Sequence, residues 1–120
     1  MRVLVCGGRD YNRSDLVFAE LDRIKPDCVI EGGALGADAA AAAWAAINKV
    51  ANLQYIANWA EFGKSAGPLR NQRMLDDGMP DLVVAFPGGR GTADMVKRAR
   101  AAGVEVLEIQ PAPTHSERAG

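Results

Sequence analysis

The chain predicts an α/β fold of the Rossmann-like kind, a doubly wound parallel sheet of five strands in the order 3-2-1-4-5. Three observations lead there. Short apolar runs alternate with helical stretches along the chain, and the series ends on a strand. The runs are nearly uninterrupted, as in strands covered on both faces, and parallel neighbours require crossover connections of this kind. Three of the turns that leave the strands are rich in glycine, at the sheet edge where such folds bind ligands.

Strands are predicted at Arg2 to Cys6, Cys28 to Ile30, Leu53 to Ala57, Leu82 to Phe86 and Val104 to Ile109, each with a β-branched or aliphatic centre. Helices are predicted over about Ser14 to Lys25, Ala37 to Ala51, Gly67 to Asp77 and Thr92 to Ala102. In the first, Val17, Leu21 and Ile24 recur at helical spacing, Asn12 or Ser14 is a suitable N-cap, and Pro26 stops the helix. The second is alanine-rich, which favours helix and close approach to the sheet. Its bulky Trp44 reads as core or interface, and Asp38 sits in its first turn, where the unpaired amides favour a carboxylate. Thr92 is the expected N-cap of the fourth. Residues 1–110 form the domain, and 111–120, with Pro111, Pro113 and His115, are expected to be a loosely ordered tail.

A length of 120 residues supports one core, and 48% hydrophobic with 24% charged residues is ordinary for a folded, soluble protein. Fourteen Lys and Arg against fifteen Asp and Glu give a net charge of -1, so no extended field draws the chain to nucleic acid or an anionic membrane. Local basic residues can still hold one phosphate. Cys6 and Cys28 lie in apolar strands and read as small core residues, which suits a reducing, cytoplasmic setting. The apolar stretch at the N-terminus is too short for a signal h-region, and nothing later approaches a membrane span.

The three glycine-rich loops are Gly7-Gly8-Arg9-Asp10-Tyr11, Gly32-Gly33-Ala34-Leu35-Gly36-Ala37-Asp38, and Pro87-Gly88-Gly89-Arg90-Gly91-Thr92. In the expected strand order they are neighbours. Glycine lets main-chain amides approach an anion, and the helix start behind each loop adds positive potential. Tight turn geometry alone accounts for glycine in any one such loop, but three at one edge favour an anionic ligand. Arg9 and Arg90 lie within the loops, and Arg70 and Arg73 lie near the start of the third helix; the planar guanidinium suits phosphate oxygens. Tyr11 and Trp59, just past strand ends, are candidates for stacking on a base or covering the rim. Asp38 is an acceptor candidate for ribose hydroxyls, and Met74, Met79 and Met95 read as packing residues.

Two familiar motifs are set aside. Gly63-Lys64-Ser65 resembles the end of a P-loop, but Asn58 stands where the earlier glycine belongs and the segment follows the third strand. Gly7-Gly8 does not continue into the dinucleotide fingerprint. No His/Cys metal cluster and no Ser-His-Asp order is present, and no metal is expected.

Through these four segments, Gly7 to Tyr11, Gly32 to Asp38, Gly63 to Met74 with Arg70-Asn71, and Pro87 to Thr92, the chain resembles the YspA/cpYpsA-related branch of the SLOG superfamily over about Met1 to Ile109. The resemblance implies a Rossmann-like domain for a nucleotide or nucleotide derivative, a sensor in some relatives and an enzyme in others, with homo-oligomers expected because close relatives form dimers. The enzymatic relatives, LOG-type (lysine-decarboxylase-like) phosphoribohydrolases, use PGGxGTxxE and an arginine from the preceding helix. Here Met95 occupies the glutamate position and Asp94 precedes it. A thioether moves no proton, and a one-residue displacement turns a helical side chain by about 100 degrees.

The sequence therefore points to a domain that binds or senses a nucleotide-like phosphate ligand, with Gly7, Gly8, Arg9, Asp10, Tyr11, Gly32, Gly33, Ala34, Gly36, Asp38, Arg70, Asn71 and the Pro87 to Thr92 loop around it. The alternative is a nucleoside-monophosphate N-glycosidase or related hydrolase, with Asp38, Asp94 and Arg70 as catalytic candidates. A carrier role without catalysis, for instance for a pterin-type cofactor, is a third reading. No cofactor is required beyond the nucleotide-like ligand itself.

Overall fold

The computed structural model describes residues 1–111, so the expected tail lies outside the described residues apart from Pro111. Strands β1 (Arg2–Cys6), β2 (Cys28–Glu31), β3 (Ala51–Gln54), β4 (Leu82–Ala85) and β5 (Glu105–Glu108) form one sheet in the order β3-β2-β1-β4-β5. Every neighbouring pair is parallel, with Leu4 of β1 beside Ile30 of β2 and Val83 of β4. The expected order is the observed one.

Alternating side chains of the central strands feed two cores. Val3, Val5, Val29, Leu82 and Val84 face helices α1 (Ser14–Ile24) and α2 (Ala37–Ile47), meeting Val17, Leu21, Ala41 and Trp44. Leu4, Cys6, Cys28, Ile30, Val83 and Ala85 face the other way, against α4 (Ala66–Asp76) and α5 (Arg90–Ala101) through Met74, Leu75, Met95, Val96 and Ala99. Burial on both faces is why these strands read as continuous apolar runs. Trp44 is core, as expected, and its indole N–H donates to Asp22 at 2.8 Å, joining α2 to α1. Both cysteines are buried and unpaired with each other.

Several boundaries differ from the sequence expectation, each for a local reason. α2 ends at Ile47 rather than near Ala51, because Lys49 turns left-handed (φ 57) and the amides of Lys49 and Val50 return to the carbonyls of Ala46 and Ala45, at 3.3 and 2.8 Å. This Schellman closure normally uses glycine. β3 consequently starts at Ala51, ahead of the expected Leu53, and it is an edge strand exposed along its length. The short helix α3 (Trp59–Phe62) and a 3-10 turn over Gly63–Ser65 were absent from the sequence reading. α1 starts after Arg13 with no side-chain cap, so neither Asn12 nor Ser14 plays that role. Arg13 instead pairs with Asp15 through two bonds of 3.0 and 2.8 Å. Gly89, not Thr92, caps α5. Met79, expected to pack, is 67% exposed at a left-handed turn.

Candidate functional site

The C-terminal ends of β1, β2 and β4 lie side by side, so the loops that follow them meet. The Gly8 amide donates to the Pro87 carbonyl at 2.9 Å, and the Ala37 amide to the Gly8 carbonyl at 3.4 Å. Two glycines permit this contact. A Cβ on Gly88 would lie 2.6 Å from the Gly8 nitrogen and overlap the Thr92 hydroxyl. One on Gly36, whose φ is +75, would overlap the Gly8 carbonyl. The three loops enclose a cleft of about 860 Å³, with Arg70, Asn71 and Met74 of α4 on its wall and Ile56 and Trp59 at its rim. That is a volume suited to a small molecule.

Some main-chain donors at this edge are occupied and others are open. In the loop after β2, the Gly32 and Ala34 amides donate to Asp38 Oδ2 at 3.1 and 3.3 Å, and the Gly33 amide to Glu31 Oε1 at 3.0 Å. These donors are occupied. At the start of α5 the Arg90, Gly91 and Thr92 amides have no acceptor among the described residues, because a helix leaves its first N–H groups unpaired. The helix dipole adds to their attraction for an anion. Gly88 to Thr92 is therefore one open part of the cup.

Asp38 is 6% exposed and lines the cleft; with Oδ2 bonded to the loop, Oδ1 has no partner among the described residues. Burial pushes its carboxyl up to about 6, the charge of Glu31 adds to that, and the Ala34 amide, Arg70 and the Gly32 amide oppose it. Glu31 was missed in the sequence. It is fully buried behind the loop, its Oε1 accepts from Gln54 at 3.0 Å, and its Oε2 has no partner among the described residues. Burial raises its pKa as well. The available signal was an acidic residue at the end of a strand expected to be covered on both faces. Cys6 also lines the cleft, its thiol pushed up to about 12 by burial.

Arg9, Arg70 and Arg90 all line the cleft, whereas Arg73 does not. Arg73 lies over the Tyr55 ring at 5.4 Å and near Asp77 at 3.7 Å. Arg9 and Arg90 are exposed and have no ion pair among the described residues. Arg70 is anchored, its Nη1 donating to the Gly32 carbonyl at 2.6 Å and its Nε to Asn71 Oδ1 at 3.1 Å. Asp10 and Tyr11 lie on the cleft wall, and the Tyr11 ring packs against Phe86 with centroids 5.4 Å apart. Trp59 is 57% exposed at the rim.

The two residues at the expected glutamate site point away from the cleft. Met95 is fully buried in the sheet core. Asp94 faces α4, where its Oδ2 accepts from Asn71 at 3.0 Å and Arg98 at 2.8 Å, and it does not line the cleft. Among the described residues no group of three or more His, Cys, Asp or Glu could hold a metal, and no helix is long and apolar enough to cross a membrane.

Comparison with known proteins adds three likenesses. The profile of the YspA, cpYpsA-related SLOG family matches residues 1–62, which span β1 through α3. The Gene 61 protein of Mycobacterium phage D29 is 35% identical over 125 aligned positions, covering 93% of this chain and 98% of that protein. Among solved structures, DNA processing protein A (DprA) from Streptococcus pneumoniae superposes with a TM-score of 0.79 at 19% identity. That match covers 95% of this chain, which spans about half, 52%, of the DprA chain; it shows a shared fold.

Proposed function

The chain belongs to the YspA, cpYpsA-related SLOG family, and from that premise we propose that it binds or senses a nucleotide or nucleotide-derived phosphate ligand in the cleft at the ends of β1, β2 and β4. One observation carries the reading: an unpaired helix start and a buried carboxylate with a free oxygen face a single cleft of about 860 Å³. The phosphate sits on the first-turn amides of α5, with Arg9 and Arg90 over it. Ribose hydroxyls donate to Asp38 Oδ1. The base lies toward Trp59, whose exposed face can stack on it.

The test is thermal unfolding of the purified protein against a panel of nucleoside monophosphates, with native mass spectrometry of the protein as isolated. A ligand at a hundredfold excess over its Kd stabilises the fold by about 2.7 kcal/mol. A panel that leaves the transition unmoved removes the proposal.

A hydrolase reading rests on a second observation. Asp38, with its carboxyl pushed up to about 6, is poised to exchange a proton near neutral pH. Asp94, held by Asn71 and Arg98, is not placed for that work. Release of free base from a nucleoside monophosphate, abolished in Asp38→Asn, would favour hydrolysis over binding alone. The DprA neighbour is named for DNA processing; with a net charge of -1 this chain has no overall field that draws it to a polyanion, and the ligand proposed here is a small molecule.

A further inference from the structure

Three consecutive residues of α4, Arg70, Asn71 and Gln72, join one polar network beside the site. Arg70 holds the Gly32 carbonyl at 2.6 Å and donates to Asn71 Oδ1 at 3.1 Å. Asn71 Nδ2 donates to the Gly91 carbonyl at 3.2 Å and to Asp94 Oδ2 at 3.0 Å. Arg98 donates to the same Asp94 oxygen at 2.8 Å and to Gln72 Oε1 at 3.0 Å. The result is an unbroken polar chain from the loop after β2 to the first turn of α5. Its middle member, Asn71, is 4% exposed. Both amide protons and the carbonyl oxygen are engaged, and only one orientation of the amide satisfies an arginine on one side and two acceptors on the other.

We propose that Asn71 is a positioning residue: it does not contact the ligand but fixes the first turn of α5, through Gly91, so that the Arg90, Gly91 and Thr92 amides converge on one anion. The inference rests on the proposed phosphate role of that turn. A buried amide with both ends committed has no donor left for a ligand. Removing it takes away the side-chain donor to the Gly91 carbonyl and severs the two halves of the cleft, whereas a simple tie between α4 and α5 would need only the Asn71–Asp94 bond.

That difference is testable by exchanging the pair. Asp94→Asn keeps the Asn71–Gly91 bond. The double variant N71D/D94N restores a donor–acceptor pair between the helices and leaves Arg70 an acceptor, but it sets a carboxylate opposite the Gly91 carbonyl. Inorganic phosphate is titrated into the ¹⁵N-labelled parent and both variants, following the Gly88, Gly89 and Gly91 amides. Hydrogen exchange is read at Ala93, whose amide closes the first bond of α5 onto Gly89 at 3.0 Å. D94N should bind phosphate within about twofold of the parent, and N71D/D94N should bind roughly fivefold to tenfold more weakly, with a Tm below that of D94N because its buried carboxylate faces the Gly91 carbonyl. Ala93 should exchange faster in the double variant alone. Equal phosphate affinity and equal Ala93 exchange in the two variants would overturn the proposal and leave Asn71 a structural tie. If the parent shows no phosphate-dependent shift, the anion reading of this turn falls, and Ala93 exchange still decides whether Asn71 holds it.

Discussion

Arg70 occupies the space that any residue other than glycine at position 32 would need: its Nη1 donates to the Gly32 carbonyl at 2.6 Å, and a Cβ on Gly32 would overlap that nitrogen. The guanidinium is the mobile end of a long side chain and can withdraw. Gly32→Ala should therefore fold, with a loss of about 1 to 2 kcal/mol for the broken charge-assisted bond. Binding of the ligand found by the nucleotide panel should fall further than stability does, because Arg70 is displaced within the cleft. Urea denaturation and calorimetric titration read the two effects separately; unchanged affinity would show that Arg70 has no part in the site.

Glycines at the same sheet edge should respond very differently to alanine. At Gly36 the φ of +75 and the overlap with the Gly8 carbonyl involve backbone on both sides, so neither partner can yield cheaply. Gly36→Ala should cost about 3 kcal/mol or more. A Cβ on Gly89 meets nothing within 4 Å, and Gly89→Ala should change stability by no more than about 0.5 kcal/mol. Denaturation midpoints of the two variants check this directly. Similar losses at both positions would mean that the loops do not pack as described.

The sheet order and the meeting of the three loops were legible in the sequence because they follow from uninterrupted apolar runs, parallel crossovers and glycine after strands. The allocation of hydrogen bonds was not. Nothing in the residue pattern distinguishes the amides of Gly32, Gly33 and Ala34, which serve Asp38 and Glu31, from those of Arg90, Gly91 and Thr92, which remain open. Which arginine faces the cleft depends on the rotation of α4, set by burial of Met74 and Leu75, and that selects Arg70 over Arg73. The end of α2 was misplaced because a lysine, not a glycine, adopts the left-handed turn.

The cysteine thiols should be inert in the folded protein. Cys6 is 8% exposed, and burial, reinforced by the charges of Asp38 and Glu108, raises its thiol to about 12; the thiolate is the reactive form. Cys28 is 6% exposed. Iodoacetamide at about pH 8 should leave both unmodified over the time in which a denatured control is alkylated at both, as read by intact mass. Rapid labelling of Cys6 in the native protein would mean that the cleft floor opens readily. A bound ligand should then slow the labelling, since Cys6 lines the cleft.

Asp38 should give the fold a pH dependence opposite to that of a salt-bridged carboxylate. Its carboxyl is raised from 3.8 to about 6, with burial the largest cause, so the folded state takes up a proton before the unfolded chain does. Above about pH 6 the ionised group opposes folding, and as pH falls toward 4 that cost is relieved, a gain of about 3 kcal/mol. Exposed Asp15 and Asp27, held below their usual range chiefly by hydrogen bonds from Arg13 and the amino terminus, act in the reverse sense. The difference between parent and Asp38→Asn stability curves isolates the term: the asparagine keeps an oxygen for the Gly32 and Ala34 amides and has nothing to titrate. The parent should gain on the variant between pH 7 and 4 as measured by urea unfolding, and parallel curves would exclude a raised Asp38. Ligand affinity should run the other way, because protonation removes the anionic acceptor proposed for ribose, so tighter binding at pH 5 than at pH 7.5 would move the sugar away from Asp38.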